Sequence, residues 1–164
     1  MADEDALLSI QERLYPWATC FGCGHANPKG LHLRSYPRDG EVTADFTPWP
    51  EHDNGIGFLN GGIIATLLDC HSGAAVFHAA DELGVEPADE MPYPFVTAGI
   101  DLRYLRPAPL DAPVELLASV RSIDETEAVV DVALHYDGKP RAQATALWKR
   151  WRPRRPFNPA APAP

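Results

Sequence analysis

Asn60-Gly-Gly-Ile-Ile-Ala-Thr-Leu-Leu-Asp-Cys-His-Ser-Gly-Ala-Ala-Val-Phe-His-Ala-Ala-Asp-Glu-Leu83 decides how this chain folds. A run this long, apolar or small at almost every position, predicts one helix from Gly61 to about Leu83. Asn60 is a good N-cap for it. A helix that is apolar nearly all round must be buried on most sides. Its apolar core, Gly62 to Ala80, carries Asp69, His71 and His78, which argues against a membrane span.

The segments on either side supply what buries it. Downstream, four stretches read as long strands: Phe95–Leu105, Val114–Ile123, Ala128–Tyr136 and Arg141–Trp151. Pro107-Ala-Pro109, Asp124-Glu125 and Asp137-Gly138 read as the turns between them. Strands joined by tight turns are antiparallel neighbours, so a meander is expected. Upstream, Leu31–Tyr36 and Glu41–Phe46 alternate around Asp39-Gly40, a hairpin turn, with Val42, Ala44 and Phe46 on one face. Glu51–Asn60 reads as a loop, and Asp3–Leu14 has the apolar spacing of a short helix. The fold class expected is α+β, a curved antiparallel sheet of five or six strands wrapped around one long central helix. A flat sheet would leave the far side of the helix wet.

The 164 residues suit one domain. We expect residues 1–19 as a helical lead-in, 20–152 as the folded domain and 153–164 as a Pro- and Ala-rich disordered tail. The net charge of −9 argues against nucleic acid as the main partner. The acidic start, Met1-Ala-Asp-Glu-Asp5, lacks the basic and apolar runs of a secretory signal. Three cysteines do not make a disulfide framework, so a cytoplasmic location is expected.

The helix also carries chemistry. Gly61 and Gly62 leave backbone N–H groups open at the positive end of the helix dipole, where a carbonyl oxygen gaining negative charge is stabilised. Asp69 lies two turns further in, on a narrow face of small residues with Gly62, Ala65, Thr66, Ser72, Gly73 and Val76. Ile63, Ile64, Leu67 and Leu68 lie on the other sides. A buried carboxylate is costly unless it has partners or a task. Eight residues separate Gly61 from Asp69, roughly 12 Å along the axis. One carbonyl cannot reach both on the same helix. If both act, the second comes from a two-fold partner, which predicts a dimer with its sites in the interface and the small-residue face against its counterpart.

The run His52-Asp-Asn-Gly-Ile-Gly-Phe-Leu-Asn-Gly-Gly-Ile-Ile-Ala-Thr-Leu-Leu-Asp69 resembles the signature of hotdog-fold acyl-CoA thioesterases of the phenylacetate-degradation (PaaI-like) type. Cys20-Phe-Gly-Cys-Gly, with Asn27-Pro-Lys-Gly-Leu31, is similar to the N-terminal motif of one branch of that family. Asp101-Leu-Arg-Tyr-Leu-Arg-Pro-Ala108 is similar to its strand after the helix. The resemblance implies a dimeric hotdog fold and hydrolysis of a thioester, usually of coenzyme A. It implies Asp69 as nucleophile or as general base on water, Gly61 as oxyanion donor, Asn54 as a group placing water or substrate, and Thr97 as polar support. The family often opens its helix with histidine where this chain has Asn60. Asn60 can donate a hydrogen bond but carries no proton at neutral pH. His52 and His71 are the remaining imidazoles nearby, and for each a structural role is the stronger expectation.

An N–H aimed at the forming oxyanion and a carboxylate near the carbonyl carbon suffice for a thioester, so no metal or cofactor is expected. Cys20-x-x-Cys23 with His25 offers three candidate ligands but no second paired site, and we read it as a buried loop anchor. Among cationic groups, Arg106 beside the Pro107 turn is the expected contact for coenzyme A phosphates, ahead of Arg103 and the basic run Lys149–Arg155. Gly62, His52, Thr66, Thr97 and Arg106 are thus the expected substrate-binding residues, beside Asp69, Gly61, Asn60 and Asn54 for catalysis. The partners expected are an acyl-CoA or similar thioester and a second copy of the chain, with a tetramer as the larger option. Two alternatives use the same fold, an enoyl thioester hydratase or dehydratase and a non-catalytic acyl-CoA-binding module.

Overall fold

The structure, a computed structural model, describes residues 8–87 and 93–152. The first helix, α1, spans Ile10–Leu14. It is shorter than the sequence suggests because Ser9 caps it. The Ser9 hydroxyl accepts from the Glu12 N–H, and the Glu12 carboxylate accepts from the Ser9 N–H at 3.0 Å, a complete capping box. Residues 3–7 of that expected helix and the tail 153–164 lie outside the described residues.

The strands are β1 (Tyr36–Arg38), β2 (Glu41–Phe46), β3 (Phe95–Tyr104), β4 (Val114–Ile123), β5 (Glu127–Tyr136) and β6 (Lys139–Arg150). They form one sheet in the order β1-β2-β4-β5-β6-β3, and every neighbouring pair is antiparallel. The central helix α2 spans Gly61–Glu82, with Leu83 as its C-cap. It packs against all strands from β2 to β6. Ile64, Leu67, Leu68, Ala74, Ala75 and Val76 are buried on it, and Leu116, Val130, Leu134 and Ala146 face them from the sheet. This helix is apolar and long enough to span a membrane, but most of it lies inside the protein, as the core element of the sheet that wraps it.

Two sequence expectations change. First, β3 does not pair with β4. The nine residues from Leu105 to Pro113 hold three prolines and cannot close a tight hairpin, so the chain crosses over and β3 pairs with β6 at the opposite edge. Second, Leu31–Ser35 alternates as expected, with Leu31, Leu33 and Ser35 buried, but it is not in the sheet. Its N–H groups go to the Phe21 and Gly22 carbonyls, at 2.7 and 3.0 Å. His32 takes a φ of 55°, which breaks the extended run. A period of two reports one buried side, not which backbone does the pairing.

A buried polar chain ties these layers together. Gln11 donates to the Ser35 hydroxyl at 3.0 Å, Ser35 to His71 Nδ1 at 2.9 Å, and His71 Nε2 to the Val42 carbonyl at 3.0 Å. That order of donors requires a neutral imidazole protonated on Nε2. Burial pushes the His71 pKa down to about 4, which agrees. His71 is therefore a structural link between α1, the following loop, α2 and β2.

Candidate active site along the central helix

The start of α2 is built by Asn60. Its Oδ1 accepts from the Gly62 N–H at 2.7 Å, and its own N–H donates to the His52 carbonyl at 2.8 Å. The cap consumes the Gly62 donor. Among the described residues the Gly61 and Ile63 N–H groups have no partner, so Gly61 offers a free donor at the first helical position. From β3, Tyr104 donates its hydroxyl to the Gly61 carbonyl at 2.7 Å and fixes the helix end against the strand. The sequence reading did not single out Tyr104, although it lies inside the Asp101–Ala108 motif.

The preceding loop is held by its own side chains. Asn54 Oδ1 accepts from the Ile56 and Phe58 N–H groups at 3.0 and 3.2 Å, and Asp53 Oδ1 accepts from Gly57 at 2.8 Å. Asn54 therefore shapes the loop that leads into the helix. The His52 ring packs on Trp49 and Phe46, with centroids 3.7 and 5.6 Å away, and burial pushes its pKa down. It is a buried wedge under the loop.

Asp69 is half-buried, eight residues along α2. The Thr97 hydroxyl donates to its Oδ1 at 2.7 Å. Thr97 stands beside a β-bulge, where the register with β6 shifts between Thr97 and Gly99. Such an irregularity re-aims a side chain locally. Burial raises the Asp69 pKa above the usual carboxylate value, the Thr97 bond partly offsets this, and the charge of Cys20 raises it further. The Thr66 hydroxyl is turned back onto the Gly62 carbonyl at 2.9 Å.

The small-residue face does not lie open over its whole length. At Gly73 an added Cβ would come within 2.7 Å of the Trp148 ring, and Trp148 Nε1 donates to Ser72 Oγ at 3.1 Å. Gly73 and Ser72 thus accept a strand of the same chain, not a second helix. Beside Asp69 and Thr97 a cleft of about 370 Å³ opens, walled by Phe77, Tyr93, Phe95 and Trp148. That volume is within the range of small-molecule sites, and the walls are mostly apolar.

Residues 56–141 match the family model of the thioesterase superfamily. This chain belongs to the thioesterase superfamily. A thioesterase superfamily protein from Shewanella loihica is similar at 30% identity, over 77% of this chain and 97% of that one, with a TM-score of 0.61. The E. coli PaaI protein from the phenylacetic acid degradation operon shares the fold at 19% identity, over 77% and 85%, with a TM-score of 0.63. A hypothetical thioesterase from Streptococcus pneumoniae, solved with coenzyme A, is similar at 24% identity over 72% and 87%, with a TM-score of 0.58. No curated protein matches the chain. The curved six-stranded sheet around α2 is the hotdog fold of this superfamily.

Arg106 is exposed just beyond β3 and donates to the Pro140 carbonyl at 3.1 Å. Lys149 pairs with Glu127, and Arg150 donates to the Glu86 carbonyl, so these two cations of the C-terminal basic run are engaged within the chain. The sequence places Cys70 in the buried helix, where it is found, but does not bring it to Cys20. Cys70 follows Asp69 on α2, and its sulfur lies 3.6 Å from that of Cys20. The distance from residue 20 to residue 70 hides that meeting from any local motif.

Proposed function

We propose that this member of the thioesterase superfamily hydrolyses an acyl-CoA or a related acyl thioester to free acid and thiol. The observation that carries this reading is Asp69. It is a half-buried carboxylate with a raised pKa, held by Thr97 at the mouth of an apolar cleft. A carboxylate in that state either attacks the thioester carbon or removes a proton from the attacking water. The C–S bond breaks, the thiol leaves with a proton, and the acid is released. The Gly61 N–H, at the positive end of α2, stabilises the oxyanion formed on the way. Thr97 orients Asp69, Asn60 and Asn54 hold the helix start and its loop, and Arg106 offers an exposed guanidinium for the phosphates of coenzyme A. The coenzyme A held by the Streptococcus pneumoniae relative supports that carrier for this chain.

The site is shared between two copies. Gly61 and Asp69 are separated by roughly 12 Å along one helix. β3 is an edge strand ten residues long, and it exposes Ile100 and Tyr104, whereas the opposite edge, β1, has three residues. A long free edge is a template for pairing with a second chain. Pairing there lays two central helices side by side, so that Gly61 of one chain and Asp69 of the other address one carbonyl. The free state of all three thiols agrees with a cytoplasmic location.

One observation favours a second reading. Asn60 stands where the related motif often has histidine, and its side chain is spent on the cap. An acyl-CoA-binding module would tolerate that. Thiol release from short, medium, long and aromatic acyl-CoAs separates the two. Turnover of at least one class supports hydrolysis, and tight binding without turnover of any supports the module. Loss of enoyl absorbance without thiol release would instead indicate hydration.

A further inference from the structure

Beside Asp69 the cleft holds three thiols that thioester hydrolysis does not use. Cys20 and Cys23 come from the N-terminal loop, and Cys70 comes from α2. Their sulfur atoms all lie within 4.8 Å of one another, and the Cys20–Cys70 pair is 3.6 Å apart. All three are free cysteines. Three sulfurs bound tetrahedrally to one zinc ion at about 2.3 Å lie roughly 3.8 Å from each other. The observed spacing is therefore that of a shared metal within a few tenths of an ångström for the closest pair. A disulfide needs its sulfurs about 2.05 Å apart and employs two of the three.

The chain around the thiols is shaped for their convergence. An added Cβ at Gly22 would sit 2.3 Å from the Cys70 sulfur, so only glycine lets the loop close onto α2 there. At Gly24 an added Cβ would sit 2.4 Å from the Cys20 nitrogen, and the Gly24 N–H donates to the Cys20 carbonyl at 2.8 Å. These contacts close the Cys20-Phe-Gly-Cys23 turn with both sulfurs on one side. An independent observation comes from Tyr15. It is 3% exposed and lines the same cleft as the three cysteines, yet among the described residues its hydroxyl has no partner. A buried phenol without an acceptor is costly, because its desolvation is not compensated. A thiol is a weak acceptor, whereas a metal-bound thiolate is a charged one. His25, the third ligand a sequence reader would choose, instead faces Arg34, with Nδ1 2.8 Å from its guanidinium.

We propose that Cys20, Cys23 and Cys70 form a site for one thiophilic divalent cation of the zinc class, with the fourth coordination position open to the cleft. Binding forms three metal–sulfur bonds and releases the proton of each thiol still protonated, with no change of oxidation state. The ion fastens the N-terminal loop to the central helix one residue from Asp69. Its presence does not depend on whether the protein hydrolyses thioesters.

The test uses the full chain, purified with a reductant under nitrogen and titrated with Co²⁺ as the spectroscopic probe. The expected result is one Co²⁺ per chain. It should show sulfur-to-cobalt charge transfer, the intense visible bands of a tetrahedral site, and bleaching on addition of Zn²⁺. Both features should vanish in Cys20→Ser and Cys70→Ser and persist in His25→Ala and Asp69→Asn. Cys20→Ser is the decisive variant because Cys20 is at the exposed rim, and circular dichroism checks its fold. No charge-transfer band in the reduced wild type, or a band that survives Cys20→Ser, would overturn the proposal.

Discussion

The Thr97 hydroxyl donates to Asp69 Oδ1 at 2.7 Å, from a strand bulge onto the middle of the central helix. The bond favours the ionised carboxylate, while burial favours the neutral one. A base that must be ionised loses activity as pH falls through its pKa, and here that pKa is raised. Thr97→Val removes the contribution that lowers it. The acid limb of the kcat/KM profile should therefore move to higher pH in Thr97→Val, with the plateau at alkaline pH less affected. A profile that superposes on wild type would remove Thr97 from the tuning of Asp69.

Gly61 is the first helical residue, and Asn60 before it is extended, with φ −61° and ψ 135°. Both positions accept proline after Asn60. Gly61→Pro thus deletes the Gly61 N–H with little disturbance of the helix. An oxyanion donor of this kind is worth about 10²–10³ in kcat, and a loss of that size is expected. In a dimer with shared sites, mixing Gly61→Pro with Asp69→Asn regenerates one intact site per mixed dimer. Roughly a quarter of wild-type activity should return after subunit exchange. Mixtures that stay inactive, although exchange is shown by mass, would place both groups in one chain's site.

Asn60 acts through its cap. Asn60→Ala should cost about 1 kcal/mol in urea unfolding, while Asn60→Asp should keep the stability. The aspartate adds negative charge beside the forming oxyanion, so Asn60→Asp should lower kcat even so. Equal unfolding midpoints for Asn60→Ala and wild type would show that the Gly62 bond contributes nothing.

Much of this was legible along the chain, and the reasons are local. The helix from Gly61, its Asn60 cap and strand β2 follow from periodicity and capping chemistry, which involve near neighbours. Asp69 stands out because a carboxylate in an apolar helix needs a reason. The partners of these residues were not legible. Thr97 came only from resemblance. Tyr104, Trp148 and the meeting of Cys70 with Cys20 depend on β3 crossing to the β6 edge and on the N-terminal loop folding onto α2. No spacing rule reports contacts between residues so far apart in the chain, 43 for Tyr104 and Gly61, 50 for Cys20 and Cys70, 76 for Ser72 and Trp148.

His71 makes stability depend on pH. Unfolded, it takes up a proton near the ordinary value of 6.5, and folded only near 4. Its contribution is complete above pH 6.5 and falls by about 3 kcal/mol as pH drops toward 4. His71→Gln cannot titrate. The stability difference between wild type and His71→Gln should therefore shrink across that window, as read by urea unfolding at each pH. A constant difference would mean that His71 titrates alike in both states.

The central claim is that Asp69 performs thioester hydrolysis. Thiol release by wild type and Asp69→Asn, on the acyl-CoA that wild type turns over fastest, tests it most directly. Asparagine keeps the shape and can still meet Thr97, and it removes the burial penalty on a charge. The variant should therefore stay folded and at least as stable at neutral pH, while kcat falls by about 10²–10⁴. A folded Asp69→Asn protein that releases thiol at the wild-type rate would contradict the account.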